Sequence, residues 1–220
     1  MTAGLLFCMM STSYVLEVVM RKFLKWFGII AGGLIGVLLV VALVMSFRAN
    51  SRLERTYEVK PEPVTLPVDA ASIQEGERLA QFYCTGCHGE NLAGTNFFAI
   101  PPLGVVDAPN LTAGEGGIGA AYTDEDFIRA IRHGIDPQGK PLFVMPSKDF
   151  YHLSDEDLGQ MIAYIRTIEP VDGVYNDRSM TLLGRVMLGL GMFGDVLNAE
   201  TIDHAAPRPL APEPGVTDVY

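Results

Sequence analysis

A run of 21 residues without a charged side chain, 27–47, constrains this chain more than any other feature of its sequence. About 20 helical residues cross the hydrocarbon core of a bilayer, where a helix satisfies its own backbone polar groups. A secretory signal is the alternative, but its apolar region has about 7–15 residues and ends at small residues. This run is longer and ends in Ser-Phe-Arg, so we predict an uncleaved transmembrane helix over residues 27–47.

Basic residues flank the run equally, with three on each side: Arg21, Lys22, Lys25, Arg48, Arg52 and Arg55. Because cytoplasmic loops carry an excess of Lys and Arg, an equal count does not fix the orientation of the helix. The stretch from Met20, with basic residues followed by the apolar run, has the form of an ordinary N-terminus. We therefore expect the protein to start at Met20.

Residues 48–220 contain 13 Lys and Arg against 25 Asp and Glu. A nucleic-acid-binding surface requires a basic patch, so the charge excludes that class. Three cysteines are too few for a disulfide-dense scaffold. Residues 48–71 contain Pro61, Pro63 and Pro67, and X-Pro steps disfavour helix. We predict that this segment is an extended, Pro-rich tether.

Capping signals predict three short helices over residues 72–83, 123–133 and 154–168. They begin at Ser72 (with Glu75 in a capping box), Thr123 and Ser154. The segment 89–121 lacks a convincing alternating strand, so the predicted fold class is all-α. Such helices bury little apolar surface alone, and a loop of this length is unusual in a compact domain. A large apolar group is therefore expected inside the fold.

The motif Cys84-Thr-Gly-Cys87-His88 supplies that group, because C-x-x-C-H spacing is typical of c-type haem attachment. The two thiols bind the haem covalently, and His88 becomes the proximal iron ligand. A thioredoxin-like redox pair would follow a strand, whereas a helix is predicted here. A zinc site needs further paired Cys or His ligands, and a Cys84–Cys87 disulfide leaves His88 unexplained. We predict one covalent haem c.

The distal iron ligand is predicted to be Met145, which lies in the loop between the second and third helices and is followed by Pro146, a residue that stiffens the loop. His152 is the main alternative ligand. Met161 lies on the apolar face of the third helix and is expected in the core, and His133 is expected to cap the second helix. Methionine at this position raises the reduction potential and favours electron transfer over oxygen chemistry.

With Cys84–His88 and Met145-Pro146, residues 72–170 resemble a class I c-type cytochrome, a small fold of three main helices and long loops around haem. The resemblance implies that Gly76 lets the first helix cross the third and that Tyr164 is the aromatic residue at the crossing. Three motifs resemble more narrowly the membrane-bound multihaem cytochrome subunits of periplasmic alcohol and aldose dehydrogenases: Pro109-Asn-Leu-Thr112, residues 122–134 and residues 153–158.

The sequence departs from those multihaem relatives because it has no second C-x-x-C-H. We interpret residues 171–220 as a C-terminal extension. One interpretation is that it is the remnant of a linker to a second haem domain, and the alternative is that the protein is a true monohaem form. Within it, residues 181–194 have apolar residues at helical spacing. This helix is expected to pack on the cytochrome domain; the alternative is a docking surface for a partner subunit or the membrane interface.

The resemblance implies an electron-transfer protein without catalytic residues. Haem is attached outside the cytoplasmic membrane in this class, so residues 1–26 are expected in the cytoplasm and the haem domain in the periplasm. The expected partners are redox proteins or a membrane complex, and lipid around the N-terminal helix. One alternative is a haem subunit of a respiratory or photosynthetic complex or of a dehydrogenase. Another alternative is a haem-based ligand sensor. Such a sensor would need an open sixth coordination position on the iron, and the predicted Met145–iron bond would fill that position.

Overall fold

The computed structural model of the chain describes residues 2–173 and 178–207, in two compact units that meet between Val44 and Met45. Helix α1 (Thr2–Leu53) makes up the first unit and ends in the second. Most of its large apolar side chains from Val19 to Val44 are exposed. In the described part of the chain, residues 17–53 are the one helical stretch long and apolar enough to cross a membrane, which agrees with the predicted span.

The second unit contains several short helices and three strands among its described residues. In chain order they are α2 (Ala70–Tyr83), α3 (Thr85–His88), β1 (Thr95–Ile100), β2 (Gly104–Ala108), α4 (Asp124–Ile128), a π-helical turn (Arg129–His133), α5 (Ser147–Phe150), α6 (Asp155–Thr167), β3 (Arg178–Met180), α7 (Leu182–Gly189) and a 3-10 turn (Asn198–Glu200). The three predicted helices correspond to α2, to α4 with its π-helical turn, and to α6.

Two of the three predicted helix starts are confirmed. The Thr123 hydroxyl accepts the amide of the third helical residue at 3.1 Å, and the Ser154 hydroxyl does the same at 2.9 Å. The predicted cap at Ser72 is wrong. Asp69 caps α2 instead, because its carboxylate accepts the Ser72 amide at 2.9 Å and the helix already begins at Ala70. A carboxylate one turn upstream thus replaces the capping box expected from Ser72.

Helices α2 and α6 cross at Gly76, as the resemblance implied. A Cβ atom at this glycine would lie 2.0 Å from the Gln160 carbonyl oxygen and 3.0 Å from Cβ of Tyr164. The main apolar cluster of the unit lies beside this crossing and includes Leu79, Leu158 and other buried residues of α2, α4 and α6. Since α2 leads directly into the C-x-x-C-H motif, the crossing fixes where that motif begins.

The all-α prediction needs a correction, because the unit also contains a three-stranded antiparallel sheet in the order β1-β2-β3. Two of its strands lie in the segment 89–121 that was predicted to lack strands. Strand β2 alternates between buried and half-buried residues, but β1 does not alternate regularly and contains a bulge between Thr95 and Phe98. The third strand comes from the C-terminal extension, and no local pattern indicates such a distant pairing.

The predicted extended segment 48–71 needs a correction, because α1 continues to Leu53 and α2 already begins at Ala70; residues 55–69 between these helices are without helix and belong to the second unit. The Tyr57 amide donates to the Gly139 carbonyl at 2.8 Å, and the Arg129 guanidinium donates to the Val59 carbonyl at 3.2 Å. Val64 and Leu66 pack against the main apolar cluster. The segment is therefore fixed to the domain by its backbone and its apolar side chains.

The C-terminal extension packs on the unit through a second apolar cluster. Leu188 of α7 and Leu197 are fully buried against Ala49 and Leu53, the last turns of α1. The Arg52 guanidinium pairs with the Glu200 carboxylate at 2.7 Å and donates to the Leu188 carbonyl at 3.0 Å. The expectation that residues 181–194 form a helix packed on the domain is thus confirmed for α7.

Candidate functional site

The C-x-x-C-H motif forms a single helical turn at the end of α2. Cys84 caps α2 and begins α3, and its carbonyl accepts the amides of Cys87 and His88 at 3.2 and 2.9 Å. The hydroxyl of Thr95 donates to the Cys87 carbonyl, which connects the motif to strand β1. The three chemistry-bearing side chains are therefore carried by one fixed turn.

The two cysteines of the motif are free thiols, and both are partly buried. Cys84 packs against the main apolar cluster, with its Sγ atom 3.7 Å from Sδ of Met161. Burial, together with the charge of Cys87, raises the pKa of the Cys84 thiol to about 12. Burial also raises the pKa of Cys87. An uncharged thioether suits this environment better than a thiolate, because burial disfavours the charged form.

His88 is oriented by a backbone carbonyl. Its Nδ1 atom lies 2.8 Å from the Pro109 oxygen, and because a carbonyl only accepts, Nδ1 carries the proton and donates it. The lone pair is then on Nε2, which is the form in which a histidine binds a metal while its other nitrogen is held by an outer partner. Burial lowers the pKa of His88, although the bond to Pro109 acts in the opposite direction.

The segment that supplies the Pro109 carbonyl is itself held rigidly. Asn110 is fully buried; its side-chain amide donates to the Val171 carbonyl at 2.7 Å, and its side-chain oxygen accepts the Thr112 amide at 2.8 Å. The Leu111 amide donates to the Leu92 carbonyl at 2.8 Å. The motif at residues 109–112 was singled out by resemblance only, and its structural role is to hold the acceptor of the His88 proton.

Met145 lies in a loop that packs against the same apolar cluster as Cys84. The residue before it, Val144, has a φ angle of 70°, which is a rare conformation for a β-branched residue. The Met145 carbonyl accepts the Ser147 amide at 2.9 Å, and the buried Ser147 hydroxyl donates to the Ala130 carbonyl at 3.0 Å. These contacts give the loop a defined shape around the predicted ligand.

The other predicted ligand candidates lie in different surroundings. His152 is exposed and its ring contacts Tyr151 edge to face. Met161 is buried in the main apolar cluster, as expected. His133 is buried next to His204, with 3.0 Å between their Nδ1 atoms, a pairing that the sequence did not indicate. Met145 remains the predicted distal ligand, because it combines partial exposure with packing against the cluster that Cys84 contacts.

A cavity of about 160 Å³ lies beside the Met145 loop. Its lining is almost entirely apolar and includes Phe98 and Val106 of the hairpin, Phe143 and Val144 of the loop, and Val196 of the extension. The cysteines, His88 and Met145 do not line it. The cavity therefore neighbours the candidate site and does not coincide with it.

The donor set fits a covalently attached haem. It contains two thiols on one helical turn, an imidazole whose Nδ1 proton is held by a carbonyl, and a methionine sulfur on a loop that shares an apolar cluster with Cys84. In the part of the chain that the structure describes, no group of three or more His, Cys, Asp and Glu could hold a metal ion by itself.

Comparison with known proteins identifies the same region. Residues 71–165 match the family model for cytochrome c oxidase, cbb3-type, subunit III. The chain is 38% identical over 120 residues to the fructose dehydrogenase cytochrome subunit of Gluconobacter japonicus, a match covering 50% of this chain and 24% of the relative. It is 37% identical over 111 residues to the alcohol dehydrogenase (quinone) cytochrome c subunit of Gluconobacter oxydans (strain 621H), covering 47% and 23%.

A third relative is the gluconate 2-dehydrogenase cytochrome c subunit of Pantoea cypripedii, which is 36% identical over 101 residues, covering 43% of this chain and 22% of the relative. The chain thus spans less than a quarter of the length of each of these three relatives. All three are named as cytochrome subunits of dehydrogenases.

Proposed function

We propose that this chain is a membrane-anchored electron-transfer protein with one covalent haem c; the support is the match of residues 71–165 to a cytochrome family model and the similarity to cytochrome subunits of dehydrogenases. The observation that carries the proposal is the C-x-x-C-H turn whose histidine has its Nδ1 proton held by Pro109. That arrangement leaves Nε2 available for iron, while Cys84 and Cys87 lie on the same turn. Five consecutive residues thus contain both thiols for covalent attachment and the proximal ligand for the iron.

Each residue of the site has a distinct role in this proposal. The haem, when bound, supplies a one-electron couple of its iron, so no side chain has to act as acid, base or nucleophile. Cys84 and Cys87 hold the macrocycle, and His88 and Met145 bind the iron from its two sides. A filled sixth position favours electron transfer over oxygen chemistry. Cys84 and Met145 pack against one apolar cluster, which makes this side of the site apolar.

The proposed membrane arrangement follows the sequence-based domains: a cytoplasmic segment 1–26, a span at 27–47, a tether at 48–71, a haem domain at 72–170 and an extension from 171. Its support is the one helix of the described chain that is long and apolar enough to cross a membrane. Because haem is attached outside the cytoplasmic membrane in this class, the haem domain is proposed to be periplasmic. The anchor would then keep the haem near membrane-bound redox partners.

A built-in subunit of a larger complex is the second candidate, and one observation favours it. Helix α7 and the turn after it expose large apolar side chains: Leu182, Leu183, Leu190 and Met192 are each at least half exposed. Exposed apolar patches of this kind mark interaction surfaces. The chain's relatives are subunits of dehydrogenases, so a membrane complex is a reasonable partner for this surface.

Absorption spectra and a redox titration of the full chain purified from membranes test the proposal. We expect covalent haem, a positive midpoint potential and the long-wavelength absorption band of a methionine–iron bond in the oxidised protein. Met145→Ala should remove that band and lower the potential, whereas Met192→Ala, a matched change at an exposed methionine, should do neither.

His152→Ala tests the alternative ligand and should leave the band unchanged. A wild-type chain without the band, whose spectrum changes in His152→Ala but not in Met145→Ala, would show that the distal ligand is His152 and not Met145. A chain purified without haem would refute the whole proposal. Stable co-purification with an oxidase or dehydrogenase complex would favour the built-in subunit over the free carrier.

A further inference from the structure

The C-terminal extension contacts the loop that carries Met145 through its backbone. We define the clamp segment as residues 195–200 and the Met145 loop as residues 143–148. The Val144 amide donates to the Val196 carbonyl at 2.7 Å, and the Lys148 amide donates to the side-chain oxygen of Asn198 at 2.8 Å. The two bonds hold the loop on either side of Met145.

Asn198 is fixed at both ends of its side-chain amide. Only its oxygen can accept the Lys148 amide, so its nitrogen points the other way and donates to the Asp195 carbonyl. The side chain is buried. Lys148 lies in the first turn of α5, whose own N-cap residue, Pro146, makes no side-chain capping bond. No neighbouring side chain caps the Lys148 amide. Asn198, which is 50 residues further along the chain, accepts its hydrogen bond instead.

The bond from Val144 holds a conformation that a valine rarely adopts. Its φ angle of 70° lies in the left-handed region, where the branched side chain of valine is disfavoured. Such conformations persist only where surrounding contacts determine them. The Val196 carbonyl is the contact made by the Val144 amide, and it therefore sets the direction in which the chain enters Met145.

The clamp segment is itself firmly held in the second unit. Leu197 is fully buried in the second apolar cluster, against which Phe143 of the Met145 loop also packs. The Glu200 carboxylate accepts hydrogen bonds from both Nε and Nη2 of Arg52. The second apolar cluster and the Arg52–Glu200 ion pair therefore hold the clamp segment in place, and the clamp segment in turn restrains the Met145 loop.

We propose that Val196 and Asn198 are positioning residues that hold Met145 as the distal iron ligand. The inference rests on the proposed function, because it takes Met145 to be that ligand. The clamp keeps the methionine sulfur from leaving the iron and so limits the access of external ligands. The extension then has a role in haem ligation that neither its sequence nor the resemblance indicates.

The test is imidazole binding to the oxidised full-length holoprotein in detergent. Imidazole has to displace the methionine, so its apparent dissociation constant reports how firmly Met145 is held. Removing one hydrogen bond to a buried group should strengthen imidazole binding about tenfold in Asn198→Ala. Asn198→Asp keeps an acceptor for the Lys148 amide but loses the donor to the Asp195 carbonyl, and its imidazole constant should lie between those of the wild type and Asn198→Ala. Asn96→Ala, a matched change at an exposed asparagine, should have no effect.

Three outcomes would overturn the inference. One is an unchanged imidazole constant in Asn198→Ala, even if its thermal stability falls, because that would show a purely structural residue. Another is an Asn198→Asp chain that binds imidazole as tightly as Asn198→Ala. The third is survival of the methionine–iron band in Met145→Ala, which would refute the ligand assignment itself and is thereby distinguished from a failure of the clamp alone.

Discussion

Gly76→Ala should strongly destabilise the domain, because the added methyl group meets backbone and not a movable side chain. The new Cβ would lie 2.0 Å from the Gln160 carbonyl oxygen and 2.5 Å from its carbonyl carbon. Ordinary van der Waals contact needs well over 3 Å, so α2 and α6 would have to separate by more than about 1 Å. Overpacking in a well-packed core costs about 1–3 kcal/mol, and we expect the upper end here.

The free energy of unfolding is measured by guanidinium titration of the full chain in detergent, followed by far-ultraviolet circular dichroism. A loss of about 3 kcal/mol corresponds to a fall in Tm of about 6–12 °C for a domain of this size. The matched control is Gly36→Ala, because a Cβ there meets no atom within 4 Å; it should stay within about 1 kcal/mol of wild type. A Gly76→Ala chain within about 0.5 kcal/mol of wild type would refute the argument from the crossing.

Two further predictions concern charged groups. Asp155→Asn removes the carboxylate 2.6 Å from the guanidinium of Arg132, whose side chain is 0% exposed, and should lower the free energy of unfolding by about 3 kcal/mol, because a buried guanidinium loses an ionic partner. Asp124→Asn, at a carboxylate that is 53% exposed, should cost less than about 1 kcal/mol in the same denaturant titration; equal losses in the two variants would contradict this reasoning. Hydrogen bonding from Ser72 lowers the pKa of the Asp69 carboxyl, so its stabilising effect is present above its unfolded pKa of about 3.9 and is lost as pH falls through the folded pKa. Asp69→Ala should therefore be less stable than wild type at neutral pH, and thermal unfolding should show that difference shrinking in acid; a constant difference would argue against the cap.

The sequence by itself determined the features that depend on neighbouring residues. The apolar run specifies a helix long enough to span a membrane, since backbone groups in lipid must be satisfied within the segment. Thr123 and Ser154 start their helices because a hydroxyl reaches an amide three residues on. The C-x-x-C-H spacing predicts haem attachment for the same local reason, and the motif lies within the region that matches the cytochrome family model.

The tertiary structure decided what depends on residues far apart in the chain. Strand β3 pairs with β2, although more than 70 residues separate them, and so the predicted all-α fold acquires a sheet. His133 contacts His204, and Asn198 holds the loop of Met145. The sequence contains other polar residues that could make such contacts, and the folded structure determines which residue makes each one. Pairing between distant segments leaves no periodic trace in the sequence, because its specificity comes from the shape of the assembled core and not from local spacing.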